Sequence, residues 1–180
     1  MREIADKPRI EAFLQALARE ATTDTHVYLV GGTSAVLIGW RASTVDVDLV
    51  MQPESDAMLR AIPTLKERMR LNVELASPDQ FIPVPRGWEE RSPLIVRIGR
   101  VTFYHYDFTA QALAKIERGH ARDLADVKAM HERGLIDQDE VRRQFSRMQP
   151  EFFRYPAIDP DSFRKALDAA FPADETERAS

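Results

Sequence analysis

The stretch STVDVDLV, residues 43–50, sets Asp46 and Asp48 two positions apart in a run otherwise rich in valine. In an extended strand alternate side chains share a face, so these carboxylates would project together from Cα atoms roughly 6.5 Å apart. Two acids held that close repel each other unless water, a proton or a cation intervenes. One or two Mg2+ ions would relieve the repulsion and could also grip polyphosphate oxygens. An ordinary strand with a wet acidic face, and Val45, Val47 and Leu49 on its other side, accounts for the same residues.

Three other places bear on that choice. The first is VGGTS, residues 30–34, where Gly31-Gly32 follows an apolar strand and precedes a short helix. Backbone N–H groups at such a bend can approach a phosphate, with Thr33 and Ser34 adding hydroxyl donors. The spacing is neither the dinucleotide fingerprint nor the P-loop. A tight turn capped by Thr33 or Ser34 is the plainer account. The second is Glu74 in LNVEL, residues 71–75, facing outward on a strand able to lie beside 45–50. It would be a third oxygen ligand, a base for an attacking hydroxyl, or a solvated side chain. The third is QALAKIERGHARDLADVKAM, with Lys115, Asp123 and Asp126. Lys115 could present a compact positive charge to phosphates, positioned by Asp123 or Asp126. In the plainer version Lys115 is solvated, Asp123 sits in a helix first turn, and Asp126 pairs with Arg122 four residues away. The four histidines lack metal-ligand spacing, and His105, between aromatics, reads as a packed strand residue.

Elements that would position these groups follow from periodicity and breakers. Helices are expected at 8–20, 33–40 and 54–71, the last broken or kinked by Pro63. Strands are expected at 26–30, 45–50 and 71–75, and a hairpin at 94–106 around Gly99-Arg100. Residues 76–93, with four prolines, read as an ordered, strand-poor loop. Helices follow at 109–118, 121–133, 137–147 and 159–171, with Leu124, Val127 and Met130 as one apolar stripe. The expected organisation is an α+β core over 1–108, a helical region over 109–171 and a frayed tail over 172–180.

Composition narrows the classes. A chain of 180 residues that is 44% hydrophobic can build a real core. Without cysteine it has no disulfide, thiolate zinc site or cysteine nucleophile. A net charge of −4 disfavours a broad nucleic-acid surface while leaving room for a local basic pocket. The charged N-terminus and the lack of a long apolar run point to a soluble cytoplasmic protein with no membrane partner.

Together, VGGTSAVLIGWRASTVDVDLV and VEL resemble the active-site signature of the nucleotidyltransferase superfamily built on the DNA polymerase beta fold. LAKIERGHARDLADV is similar to the lysine-then-aspartate helical region of AbiEii-type toxin nucleotidyltransferases. Over about residues 26–165 the chain also resembles a group of small bacterial nucleotidyltransferase-like proteins. The resemblance implies a mixed β-sheet flanked by helices and followed by a helical C-terminal region. It implies Mg2+, as one ion or two, on Asp46, Asp48 and Glu74. Gly31, Gly32, Thr33 or Ser34, and Arg41 would hold the nucleotide, Lys115 the triphosphate, with Asp123 or Asp126 as a late acid. The implied reaction moves a nucleoside monophosphate from an NTP to a hydroxyl on a small molecule, a protein or tRNA, and an antitoxin is an implied partner. A non-catalytic nucleotide- or partner-binding protein of the same fold is the alternative.

Overall fold

A computed structural model describes residues 3–172; the expected tail, apart from Pro172, lies outside the described residues. The chain divides into two compact units, Met1–Ser77 with Glu89–Asp107, and Pro78–Trp88 with Phe108–Ser180.

Among the described residues the first unit has seven strands: β1 (Ala5–Asp6), β2 (Thr25–Val30), β3 (Ser43–Thr44), β4 (Asp46–Gln52), β5 (Asn72–Leu75), β6 (Leu94–Ile98) and β7 (Val101–His105). Five of them form a mixed sheet in the order β5-β4-β2-β7-β6. β2 runs antiparallel to β4 and parallel to β7, β4 is parallel to β5, and β6–β7 is the expected hairpin. β1 and β3 make a separate two-stranded ribbon.

Strict alternation along β4 buries Val47, Leu49 and Met51 and leaves Asp46, Asp48 and Val50 half-buried on the opposite face. Val45 does not join the inward set. It stands 59% exposed in the bend between β3 and β4, because the strand that sets the alternation begins only at Asp46.

Helices α1 (Lys7–Ala18), α2 (Gly32–Ile38) and α3 (Asp56–Met69) complete this unit. Ile10, Phe13, Leu14 and Leu17 of α1 and Met58, Ile62 and Leu65 of α3 share one core with Val27, Leu29, Val47, Leu49 and Phe103 of the sheet. Asp6 caps α1 and Ser55 caps α3, each accepting from a backbone N–H of the first turn. α3 continues unbroken through Pro63. Pro63 lies on the exposed side, and the buried stripe carries the helix across the missing hydrogen bond.

Residues 76–93 contain no strand: a 3-10 turn at Pro78–Gln80 and the one-turn helix α4 (Trp88–Arg91) are their regular structure. In the second unit, α5 (Phe108–Arg118), α6 (Ala121–Glu132), α7 (Gln138–Met148) and α8 (Pro160–Ala170) follow one another, with a 3-10 segment at Gln149–Arg154. Phe145, Phe152 and Phe163 pack as a cluster with centroids 4.9–5.7 Å apart. Val127 and Met130 are buried as expected, whereas Leu124 is 41% exposed. The protein is thus an α+β fold with a central mixed sheet, flanking helices and a helical C-terminal region. No described helix is long and apolar enough to cross a membrane.

Candidate active site

The diglycine bend and the acidic strand meet. Val30, the last residue of β2, is opposite Asp48 in the antiparallel register, so the chain leaving β2 turns beside that aspartate. Gly31 makes the turn at φ +60° and ψ −127°, a conformation that only glycine adopts freely. A Cβ there would lie 3.3 Å from Asp48 Oδ2. Gly32 answers a different need. Its missing side chain makes room for Thr44, whose Cβ would be only 2.9 Å from a Cβ at Gly32, and the Arg41 Nη1 would be 3.4 Å away. Backbone, carboxylate and guanidinium therefore crowd together because two side chains are absent.

Thr33 and Ser34 point elsewhere. Both are fully buried. Neither caps α2: its N-cap is Gly31, with no side-chain cap bond, since both hydroxyls face the sheet. Thr33 Oγ1 accepts the backbone N–H of Asp48 at 3.1 Å. Ser34 Oγ donates to the Leu29 carbonyl at 3.0 Å and lies 2.9 Å from His105 Nδ1. With its one hydrogen committed to Leu29, Ser34 receives the bond, so Nδ1 is the protonated nitrogen of His105. Burial pushes the His105 pKa down to about 4, which keeps the ring neutral near neutral pH. These contacts anchor α2 and the Asp48 backbone to the sheet.

The third acid lies where the strand order requires. β5 pairs with β4 in parallel register, Asp46 opposite Asn72 and Asp48 opposite Glu74. Glu74 is exposed and Asp46 half-buried. The residue that sequence reasoning passed over is Asn72. Its Nδ2 donates to Asp46 Oδ1 and, at 3.0 Å, to Glu74 Oε1. The period-2 pattern of LNVEL already put Asn72 and Glu74 on one face, and that was the available signal. Thr44 was missed too; its Oγ1 donates to the Asp46 carbonyl at 3.1 Å.

Lys115, Asp123 and Asp126 lie in the second unit and form a cluster of their own. Lys115 Nζ is 2.8 Å from Asp126 Oδ2 and 3.4 Å from Asp123 Oδ1. Asp123 also receives Arg118 through Nε at 2.8 Å and Nη2 at 2.6 Å. Burial raises the Asp123 pKa, but the Arg118 hydrogen bond and the Lys115 and Arg118 charges outweigh it and hold the carboxyl below its ordinary value. Both acids thus contact the lysine.

Among the described residues no group of three or more histidines and acids is arranged to hold a metal ion. Asp46 and Asp48 do offer the hard oxygens that Mg2+ takes one or two at a time, with water and substrate phosphates completing its shell. The donor chemistry fits Mg2+.

A mixed sheet whose acidic strand opens beside a glycine-built turn is the arrangement expected of a nucleotidyltransferase-like domain. Residues 9–157 match the family described as "Nucleotidyltransferase of unknown function (DUF6036)", and the chain belongs to that family. No curated protein and no solved structure matches the chain.

Proposed function

We propose that this protein transfers a nucleoside monophosphate from an NTP to an acceptor hydroxyl, using the acidic face of β4 and β5 beside the Gly31–Gly32 bend. The observation that carries the reading is the proximity of that bend to Asp48, where a Cβ on Gly31 would sit 3.3 Å from the carboxylate. A polyphosphate lying along the bend would meet backbone amides, the Arg41 guanidinium and the aspartates together.

Asp46 and Asp48 would hold Mg2+, which supplies charge neutralisation at the α-phosphate and acidifies the attacking hydroxyl. Thr33 keeps the Asp48 backbone in place through its accepted N–H. Arg41 offers a planar fork of donors suited to phosphate oxygens. Glu74, exposed and in register with Asp48, takes the acceptor's proton. A bond forms between the acceptor oxygen and the α-phosphorus, the bond from that phosphorus to the bridging oxygen breaks, and pyrophosphate leaves. Lys115 is already balanced by two carboxylates, and its charge needs no phosphate to compensate it.

The test is incubation of purified protein with each α-labelled NTP and Mg2+, against pooled small molecules, proteins and tRNA in separate reactions. Labelled product in one pool, with pyrophosphate released and activity lost in Asp48→Asn, is the expected result. Metal-dependent nucleotide binding without product in any pool would assign a nucleotide-binding, non-catalytic protein instead. Neither binding nor product would overturn the proposal.

A further inference from the structure

Within the second unit, the proline-rich loop, α7 and the 3-10 segment after it line a cavity of about 400 Å³, a size usual for small-molecule sites. Val84, Pro85 and Met148 form an apolar wall, and Arg86, Arg147, Gln144 and Glu151 supply polar groups. The loop is held firmly. Pro83 and Pro85 fix two backbone φ angles, Ile82 is fully buried, and Tyr155 Oη donates to the Asp79 carbonyl at 2.8 Å.

Gln144 is the informative residue. It is 2% exposed, and its Nε2 donates to Glu140 Oε1 at 2.5 Å. A carboxylate accepts only from the nitrogen end of an amide, so the group cannot be reversed and Oε1 faces the other way. No group among the described residues donates to that oxygen. No enclosed side-chain nitrogen or oxygen among those residues lacks a partner, so Oε1 reaches the surface, in the cavity that Gln144 lines. A nearly buried acceptor thus waits for a donor that the protein does not provide. The Arg147 side chain also has no partner among the described residues. A guanidinium carries five N–H donors, so Arg86 keeps donors to offer beyond its contacts within the protein. Glu151 pairs with Arg154 at 2.9 Å and retains lone pairs for a hydroxyl.

We propose that this cavity binds the phosphate ester of a polyhydroxylated small molecule, either a free sugar phosphate or the ribose phosphate of a nucleotide. The phosphate, with nearly two negative charges at neutral pH, takes the Arg86 and Arg147 forks. Sugar hydroxyls donate to Gln144 Oε1 and Glu151, and the C–H face of the ring meets Val84, Pro85 and Met148. A bare anion leaves Gln144 Oε1 without a donor, and an uncharged sugar leaves the arginines without an anion. The site stands apart from the nucleotidyl-transfer reading.

The test is calorimetric titration of ribose 5-phosphate, adenosine monophosphate, ribose and inorganic phosphate into the full chain, with divalent metal removed by EDTA. An ester is expected to bind about tenfold or more tighter than ribose or inorganic phosphate. Arg147→Gln should weaken the ester about tenfold or more, and Gln144→Met should weaken the ester while leaving inorganic phosphate unchanged. Tighter binding of ribose 5-phosphate supports a free sugar phosphate, and tighter binding of adenosine monophosphate supports a nucleotide. Inorganic phosphate binding as well as both esters, ester affinity unchanged in Arg147→Gln, or no ester binding would each overturn the proposal. Arg147 is exposed, so its variant decides the matter even if Gln144→Met does not fold.

Discussion

Two pairs of aspartates in this chain look alike in sequence and are treated oppositely by the fold. Asp123 and Asp126 are buried against Lys115, with Arg118 on Asp123, so two positive charges balance two negative ones. Asp46 and Asp48 are half-buried, and Asp46 shares the Asn72 amide with another acid, Glu74. Carboxylates matched by a buried lysine and a partly exposed arginine have their charge compensated within the protein. On the face of β4, Asp46 meets an uncharged amide that it shares with Glu74. The first pair ties α5 to α6; the second is the pair to which we assign the proposed chemistry.

The comparison can be broken most forcefully at Lys115. Lys115→Met leaves two buried carboxylates short of a cation and is expected to destabilise the protein by about 3–5 kcal/mol in urea unfolding. A loss under about 1 kcal/mol would mean the cluster is not the buried, compensated network described. Asp48→Asn is expected to show the reverse pattern. Transfer should fall roughly 10²–10³-fold, equivalent to about 3–4 kcal/mol in the barrier, with a smaller loss of stability than Lys115→Met causes, because Asp48 is only half-buried. Large unfolding with intact turnover would move the chemistry elsewhere.

How much of this was legible in the sequence depends on whether local pattern or distant packing decided the outcome. The strand alternation that turns Asp46, Asp48 and Glu74 to one face is local, and it was readable. The diglycine bend was readable for the same reason, since only glycine suits the turn. Val45 failed because alternation was extended one residue beyond the strand, into a bend that the β1–β3 ribbon creates. Two-residue strands carry too little periodicity to be seen. Thr33 and Ser34 were expected to face a ligand or cap a helix, yet their partners are Asp48, Leu29 and His105, set by sheet pairings distant in sequence. Lys115 is expected from sequence either solvated or aimed at phosphates with Asp123 or Asp126 positioning it; that both acids reach it is decided by the α5–α6 corner, of which the spacing says nothing. Asn72 drew no attention because an amide beside an acid is unremarkable until register places a second acid opposite.

Smaller effects sharpen the first region. His105, pushed down to about 4 by burial, stays neutral in the fold while the unfolded chain binds its proton below about 6.5. Its contribution is therefore complete above that value and is lost as pH falls from about 6.5 to about 4, roughly 3 kcal/mol in all. His105→Asn, which keeps a donor for Ser34, should flatten this part of the stability profile, and an unchanged slope would assign the dependence elsewhere. Gly32→Ala drives a methyl into Thr44 and is expected to cost about 1–3 kcal/mol, visible as a lower melting temperature. Thr33→Val removes the acceptor for the Asp48 N–H and should cost about 1 kcal/mol. Thr33→Ser should restore most of it, and equal losses in both variants would show the methyl to matter more than the hydroxyl.

The central claim is that the half-buried carboxylates beside the glycine bend take up a divalent cation together with a polyphosphate. Its most direct test is calorimetric titration of Mn2+ with a non-hydrolysable NTP analogue into wild type, Asp46→Asn/Asp48→Asn and Asp126→Asn. The account predicts binding in wild type, its loss in the double variant, and its retention in folded Asp126→Asn. Equal binding by wild type and the double variant, or loss only in Asp126→Asn, would contradict it.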